Sequence, residues 1–135
     1  MALTPLVKSF IIADAEIQDR LTNKWSVVGI FNRVMAPQFP VVHPTVAMYV
    51  KLADAGGKYD VCVEVRDATD RVVASFKGIQ LEVRDRTQEV EFGVPTHMLP
   101  LEKPGKYQFQ LHLNGEFLAS ATLEAVLMER PPAPA

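Results

Sequence analysis

The chain has 135 residues, which is the usual length of one domain and too short for two ordinary ones. Its 48% hydrophobic and 22% charged residues are typical of a globular protein and exclude a disordered or fibrous one. The net charge is −2, with acids and bases mixed along the chain, which argues against a clustered basic surface for nucleic acid or anionic lipid.

The first predicted element is a strand over residues 6–14. Its apolar run is interrupted by Lys8 and followed by Asp14 and Glu16, whereas a secretory signal has a basic start, a longer apolar run and a small-residue cleavage site. No run reaches the length of a membrane span. The single cysteine, Cys62, excludes an internal disulfide, so nothing requires an oxidising compartment. We therefore expect a cytoplasmic protein without membrane contact.

Strict alternation of apolar and polar residues predicts the strands that follow. In residues 106–113 every second side chain is apolar, which is typical of a strand with one buried face. The run from Val72 to Val83 fits one bent strand or two strands, with Gly78 as the bulge or bend. The predicted strands are 6–14, 24–35, 45–53, 58–67, 71–84, 88–94, 105–113 and 116–128.

Turn residues separate these strands at regular intervals. Asn114-Gly115 is the strongest hairpin signal, because both residues tolerate the positive φ of a type I′ turn. Seven to eight mainly antiparallel strands in a chain of this length predict an all-β protein, specifically an immunoglobulin-like β-sandwich. A β-barrel remains an alternative.

Proline marks the segments that we expect to lie outside the ladders. Prolines at positions 37, 40 and 44 predict an extended loop over 37–44, since proline has no N–H to donate. The best candidate for a helical turn is 95–99. The Pro/Ala-rich tail 130–135 is predicted to be disordered, which leaves residues 1–129 as a single domain.

No set of residues forms a recognisable catalytic or metal-binding motif. Cys62 lies in the middle of a predicted strand, whereas a nucleophilic cysteine favours a turn or helix N-terminus beside a histidine. His43, His97 and His112 are far apart and lack the spacing of paired ligands. We therefore expect no enzyme activity and no cofactor.

Calcium is the metal that the sequence leaves open. Acids are closely spaced in three segments, but each has only two or three carboxylates and basic residues intervene in two of them, whereas Ca²⁺ takes six to eight oxygens. Solvated turns and ion pairs are the better interpretation. The acids are Asp14, Glu16 and Asp19, then Asp54 and Asp60, then Asp67 and Asp70.

Three aromatic residues are candidates for contact with a ligand or partner. Trp25 opens the second predicted strand and is interpreted first as a core residue, with an exposed contact as the alternative. Phe39 and Tyr49 are the other candidates. Aromatic side chains on an exposed face are typical of sugar-binding domains, so a pocket lined by these three would indicate a small-molecule or carbohydrate ligand.

Several motifs together resemble an uncharacterised family of small bacterial proteins, known only as a domain of unknown function. The resemblance covers about residues 6–126 and implies an immunoglobulin-like sandwich in a bacterial cytoplasm. It implies no substrate, cofactor or catalytic residue. The motifs are Ala13-Asp14-Ala15-Glu16, Gly29-Ile30-Phe31-Asn32, Phe39-Pro40, His43-Pro44, Pro104-Gly105-Lys106-Tyr107-Gln108-Phe109 and Asn114-Gly115.

Three residues of these motifs have structural interpretations of their own. Tyr107 after Pro-Gly resembles a tyrosine corner, in which the ring packs inward and the hydroxyl bonds to nearby backbone. Asp14, at the end of the first predicted strand, is expected to accept bonds from loop amides. His43 before Pro44 is expected to hold an extended backbone that leads into the next strand.

These observations favour a non-enzymatic protein-interaction or self-assembly module. Open sheet edges and faces invite pairing with a second copy or a partner protein, so we expect a homo-oligomer. The last strand is the expected edge, because its apolar residues fall on both faces, including Phe117, Leu123 and Leu127. The alternative is the small-molecule or carbohydrate-binding domain described above.

Overall fold

The computed structural model describes residues 2–95 and 98–128, and these form strands and no helix. The all-β class is therefore confirmed. Eleven strands are present among the described residues, three more than the upper number expected: β1 (Leu6–Gln18), β2 (Trp25–Ile30), β3 (Arg33–Ala36), β4 (Val41–His43), β5 (Ala47–Ala53), β6 (Gly57–Arg66), β7 (Val72–Val83), β8 (Val90–Pro95), β9 (Leu99–Leu101), β10 (Gly105–Leu113) and β11 (Glu116–Leu127).

The strands form two larger sheets and a small one. The four-stranded sheet has the order β2-β1-β5-β8, and the five-stranded sheet has the order β3-β11-β10-β6-β7. Strands β4 and β9 pair with each other alone. Neighbouring strands are antiparallel except β3 and β11, which run parallel.

Both larger sheets contribute to one hydrophobic core. From the four-stranded sheet, Met48, Val50 and Leu52 of β5 are fully buried, and from the five-stranded sheet Val63 and Phe109 are buried as completely. Every second residue of these strands faces the core, as the alternation predicted. Burial of each such aliphatic or aromatic side chain stabilises the fold by about 1.5–3 kcal/mol.

The segment 24–35, predicted as one strand, is two strands in different sheets. The prediction failed because the chain crosses between the sheets at Phe31 and Asn32. The backbone N–H of Phe31 donates to the Ile12 carbonyl at 3.2 Å, and the Asn32 carbonyl accepts from the Glu124 N–H at 2.9 Å. Each of the two crossing residues is thus bonded to a different sheet.

Two short strands lie where no strand was predicted. β4 falls inside the proline-rich segment 37–44 and pairs with β9, where Pro100 faces Val42. With only three residues each, neither strand is long enough to show a clear alternation. The helical turn predicted at 95–99 includes residues 96 and 97, which lie outside the described residues, as does the tail 130–135.

Two predictions that rest on glycine are confirmed. Asn114 and Gly115 have φ values of 52° and 80°, as a type I′ hairpin between β10 and β11 requires. Gly78 has a φ of 87° and lies where the pairing of β6 with β7 shifts by one residue, opposite Cys62. The segment 72–83 is therefore one strand with a bulge.

Candidate functional site

The second half of β1 pairs with β2 to form a hairpin, which we call the β1–β2 hairpin, with Ala13 opposite Ile30 and Gln18 opposite Trp25. Two acids of the β1 motif each lie against a glycine. The carboxylate of Asp14 fills the space beside Gly29, and that of Glu16 fills the space beside Gly93 of β8. Any side chain larger than hydrogen at either glycine would overlap a carboxylate.

Asp14 also faces His43. Its Oδ1 lies 3.8 Å from Nε2 of His43, and that nitrogen is buried with no hydrogen-bond partner among the described residues. The imidazole ring packs on Phe31, with 5.2 Å between ring centroids. Four residues from three motifs of the sequence thus meet at one place: Asp14, Gly29, Phe31 and His43.

Glu16 belongs to a second cluster, on the face of the four-stranded sheet opposite the core. Tyr49 lies on this face because its neighbours Met48 and Val50 point into the core. Its hydroxyl donates a short hydrogen bond to Glu91, and its ring lies 5.9 Å from that of Trp25. We call Glu16, Trp25, Tyr49, Glu91 and Gly93 the Glu16 cluster.

The Glu16 cluster is short of hydrogen-bond donors. Oε2 of Glu16 is buried and has no partner among the described residues. Burial raises the pKa of the Glu16 carboxyl above its usual value of 4.5. Burial, followed by the hydrogen bond to Glu91 and the negative charges of Glu91 and Glu89, raises the pKa of Tyr49 to about 12. The phenol is therefore a stable donor at every physiological pH.

The lysine on this face is held by a different carboxylate, that of Glu89. Lys51 lies directly opposite Glu91 in the β5–β8 ladder. Its ammonium group, however, lies 3.0 Å from the carboxylate of Glu89. This hydrogen bond and the charge of Glu89 raise the pKa of Lys51, so the lysine remains charged.

The opposite face of the β1–β2 hairpin is apolar and exposed. Three aliphatic side chains, which we call the hairpin face, remain more than half exposed: Ile17 at 56%, Val28 at 52% and Ile30 at 66%. The register places Val28 opposite Ala15 and Ile30 opposite Ala13, so these side chains share one side of the ladder. This surface could not be predicted from the sequence. β2 has apolar residues on both faces, so its pattern does not show which face packs on the rest of the protein and which is exposed.

The prediction that β11 is an edge strand is wrong over its last residues. Glu124 to Leu127 pair with β3 on one side, and Glu116 to Ala125 pair with β10 on the other. Leu123 is fully buried in the core. Phe117 and Leu127 are half exposed, but they lie at opposite ends of the strand, and the Phe117 ring packs on His112 at 5.7 Å. These residues form no single surface.

The three aromatic candidates do not line one pocket. Trp25 and Tyr49 meet outside the core, so the interpretation of Trp25 as a core residue is wrong. Tyr49 is only 8% exposed, and Phe39 packs against the core elsewhere. The cavity of about 450 Å³ at one end of β6 and β7 is lined instead by Lys58, Tyr59, Asp60, Gln80, Leu81, Glu82 and Asn114.

In the acid-rich turns at Asp19 and Asp67, the carboxylate stabilises the turn by accepting hydrogen bonds from residues of the same turn. Asp67 accepts backbone N–H bonds from Thr69 and Arg71 at 2.9 Å and 3.0 Å. Asp19 accepts bonds from the Leu21 N–H and the Thr22 hydroxyl. In residues 2–95 and 98–128, no group of three His, Cys, Asp or Glu side chains is placed to hold a metal ion.

Two further residues singled out from the sequence are also accounted for. The Tyr107 ring is buried and its hydroxyl donates to the Lys103 carbonyl at 2.7 Å, which is the bond expected of a tyrosine corner. Asp14 lies inside β1 and faces His43, because the strand runs on to Gln18. The expectation that Asp14 ends the strand is therefore wrong.

The structure brings together a further pair that the sequence did not indicate. Cys62 of β6 lies directly opposite His112 of β10, on the face of the five-stranded sheet that points away from the core. The thiol sulfur is 3.9 Å from the Ser75 hydroxyl. His97, the remaining candidate ligand, lies outside the described residues.

Comparison with known families gives one match. A model described as a family of unknown function (DUF6941) matches residues 8–126, which is most of the chain. The chain belongs to this family. The resemblance to an uncharacterised domain family is thus confirmed, and the DUF6941 match includes both the Asp14–His43 contact and the Glu16 cluster. A comparison with curated proteins found no match. No helix in the described part of the chain is long and apolar enough to cross a membrane.

Proposed function

We propose that this DUF6941 protein is a non-enzymatic interaction module that associates with a second copy of itself through the hairpin face. The observation that carries the proposal is the exposure of Ile17, Val28 and Ile30 on one side of a hairpin whose other side is fastened to the sheet. Exposed aliphatic side chains gathered on one surface favour burial against another protein.

A second copy fits this surface because the surface has no charge. In a two-fold contact each patch meets its own counterpart, so like charges would oppose one another. The exposed residues on this side of the hairpin are uncharged: Ala15, Ile17, Ser26, Val28 and Ile30. The small net charge of −2 also keeps long-range repulsion between two copies weak.

We further propose an immunoglobulin-like fold and a cytoplasmic location. Two sheets around one core and the tyrosine corner at Tyr107 support an immunoglobulin-like sandwich. The single cysteine supports a cytoplasmic location, since it needs no oxidising compartment. The low exposure of Tyr49 supports interaction over the sugar-binding alternative, because the aromatic pair presents little open surface.

Light scattering on a size-exclusion column tests the proposal. At high micromolar concentration we expect twice the chain mass of 15.0 kDa. Val28→Lys places a charge in the contact and is expected to give the monomer mass. The matched control is Val72→Lys on β7, since Val72 is similarly exposed at 45% but lies on the other sheet.

Circular dichroism establishes that both variants keep the strand content of the parent. A monomeric parent at high micromolar concentration would overturn the proposal. So would a Val28→Lys variant that remains as large as the Val72→Lys control, because the contact would then lie elsewhere.

A further inference from the structure

Beyond the end of the β1–β5 ladder at Ala13, two side-chain contacts hold the β1–β2 hairpin to the four-stranded sheet. Trp25 of the hairpin packs on Tyr49, and Glu16 places its carboxylate against the backbone of Gly93. Gly93 belongs to β8, which does not pair with the hairpin, so this second contact depends on side-chain packing alone. The hairpin can therefore lose contact with β8 without losing a ladder hydrogen bond to that strand.

The Glu16 contact is unusual because its ionisable group has no counter-charge within residues 2–95 and 98–128. Oε2 of Glu16 is buried without a hydrogen-bond partner in the described part of the chain. A buried carboxylate without a partner is unfavourable, whereas the neutral carboxylic acid is tolerated much better. The free energy of this contact must therefore depend on whether Glu16 holds a proton.

The groups around Glu16 do not remove this dependence. On β8, Glu91 is a second carboxylate two residues from Gly93, and on β5 the Tyr49 hydroxyl donates to Glu91. Lys51 of β5 is engaged by Glu89 at 3.0 Å. On β1, Asp14 adds a further negative charge, and its nearest histidine, His43, lies 3.8 Å from it.

We infer that the β1–β2 hairpin is a proton-linked latch, which closes on β8 when the Glu16 carboxyl is protonated and loosens when that carboxyl ionises. Burial supports the sign of this dependence, since it raises the pKa of Glu16 above 4.5 in the closed state. An acid with a raised pKa stabilises the closed state at low pH. That stabilisation is lost as the pH rises through the closed-state pKa.

The fluorescence of Trp25 tests the latch directly, because Trp25 is the only tryptophan of the chain and its ring lies at the contact. The protein is titrated from about pH 4 to about pH 8, a range that brackets the raised pKa of a glutamate. Low micromolar concentration keeps self-association out of the measurement, so the result does not depend on the proposed function.

In the parent protein we expect the emission of Trp25 to shift to longer wavelength as the pH rises, with a midpoint above 4.5. Glu16→Gln has nearly the same shape and no charge, so it is expected to abolish the shift and keep the low-pH emission throughout. Glu82→Gln is the matched control, because Glu82 lies on β7 and contacts Arg84, and this variant is expected to titrate like the parent.

Two results would overturn the latch. The first is an emission of the parent that stays constant across this pH range. The second is a Glu16→Gln variant that keeps the transition of the parent, which would place the titrating group elsewhere.

Discussion

At the residue scale, the two acids of β1 determine where glycine is required. Asp14 lies over Gly29 and Glu16 over Gly93, and in both places a Cβ atom would occupy the position of a carboxylate. Gly29 also has a φ of 71°, so its backbone alone favours glycine. Gly93 has no such backbone reason, and its absence of a side chain is explained by Glu16 alone.

Gly93→Ala is therefore expected to separate the hairpin from β8. Urea unfolding followed by circular dichroism should show a loss of about 1 kcal/mol, the lower end of the cost of one extra carbon in a packed site, because the obstructing atoms are the end of a glutamate side chain that can move aside. Removing the obstructing side chain as well, in Gly93→Ala with Glu16→Ala, should recover most of that loss because the new methyl group then has room.

The double-mutant cycle isolates the contact from the effect of either change alone. If the two substitutions cost the same together as the sum of their separate costs, the proposed packing of Glu16 on Gly93 is wrong.

Contacts between residues that are close in the sequence were easier to predict than contacts between residues that are far apart in it. The bond from Tyr107 to Lys103 spans four residues, and a Pro-Gly-x-Tyr pattern is enough to expect it. The bond from Tyr49 to Glu91 spans 42 residues and requires the order of β5 and β8 in the sheet, which no pattern in the sequence gives. The Glu16 cluster could not be predicted for the same reason.

At the element scale, the outer strands carry features that hinder pairing with another chain. These features favour a face over an edge as the contact surface. β2 contains Gly29 with a positive φ, β7 contains the bulge at Gly78, β8 ends at Pro95, and β3 has four residues followed by Pro37.

Strand limits were predictable where alternation was strict and turns were strong. β10 was predicted with its observed limits, because Gly105 opens it and Asn114 follows it. β1 runs four residues beyond its predicted end, because Asp14 and Glu16 interrupt the apolar pattern while the backbone remains paired with β2. Polar residues that pack on glycine do not follow the alternation from which strands are recognised.

Tyr107→Phe tests how much the hydroxyl of the tyrosine corner contributes to the free energy of unfolding. The variant keeps the buried ring and loses the 2.7 Å bond from the hydroxyl to the Lys103 carbonyl, together with the longer bond of 3.5 Å that the hydroxyl accepts from the Lys103 N–H. We expect the free energy of unfolding to fall by about 0.5–1.5 kcal/mol, the usual net value of one hydrogen bond. Urea unfolding measures this change, and a variant as stable as the parent would show that the bond contributes nothing.

At the scale of the whole molecule, the two larger sheets share one core, so neither sheet has an interior of its own. The all-β class was predictable because alternation reports a buried face on each strand. The order of strands was not, since any strand with one apolar face can occupy any position in a sheet. The crossing at Phe31 and Asn32 illustrates this, because neither residue is a glycine or proline that would mark the change of sheet in the sequence.

Phe109→Ala is expected to destabilise both sheets together. Phe109 is fully buried on β10, and removing its ring should cost about 3–5 kcal/mol. In hydrogen exchange followed by NMR, the slowest amides of β5 should lose as much protection as those of β10, although β5 belongs to the other sheet. Unchanged protection in β5 would show that the sheets unfold separately.

The parallel pairing of β3 with β11 has a consequence for biosynthesis. β3 ends at Ala36, and β11, the strand beside it in the sheet, begins at Glu116. A chain growing on the ribosome therefore exposes β3 long before its neighbour has been made. The five-stranded sheet reaches its full width only when β11 has been synthesised. The domain therefore cannot complete its native fold until translation has passed Leu127.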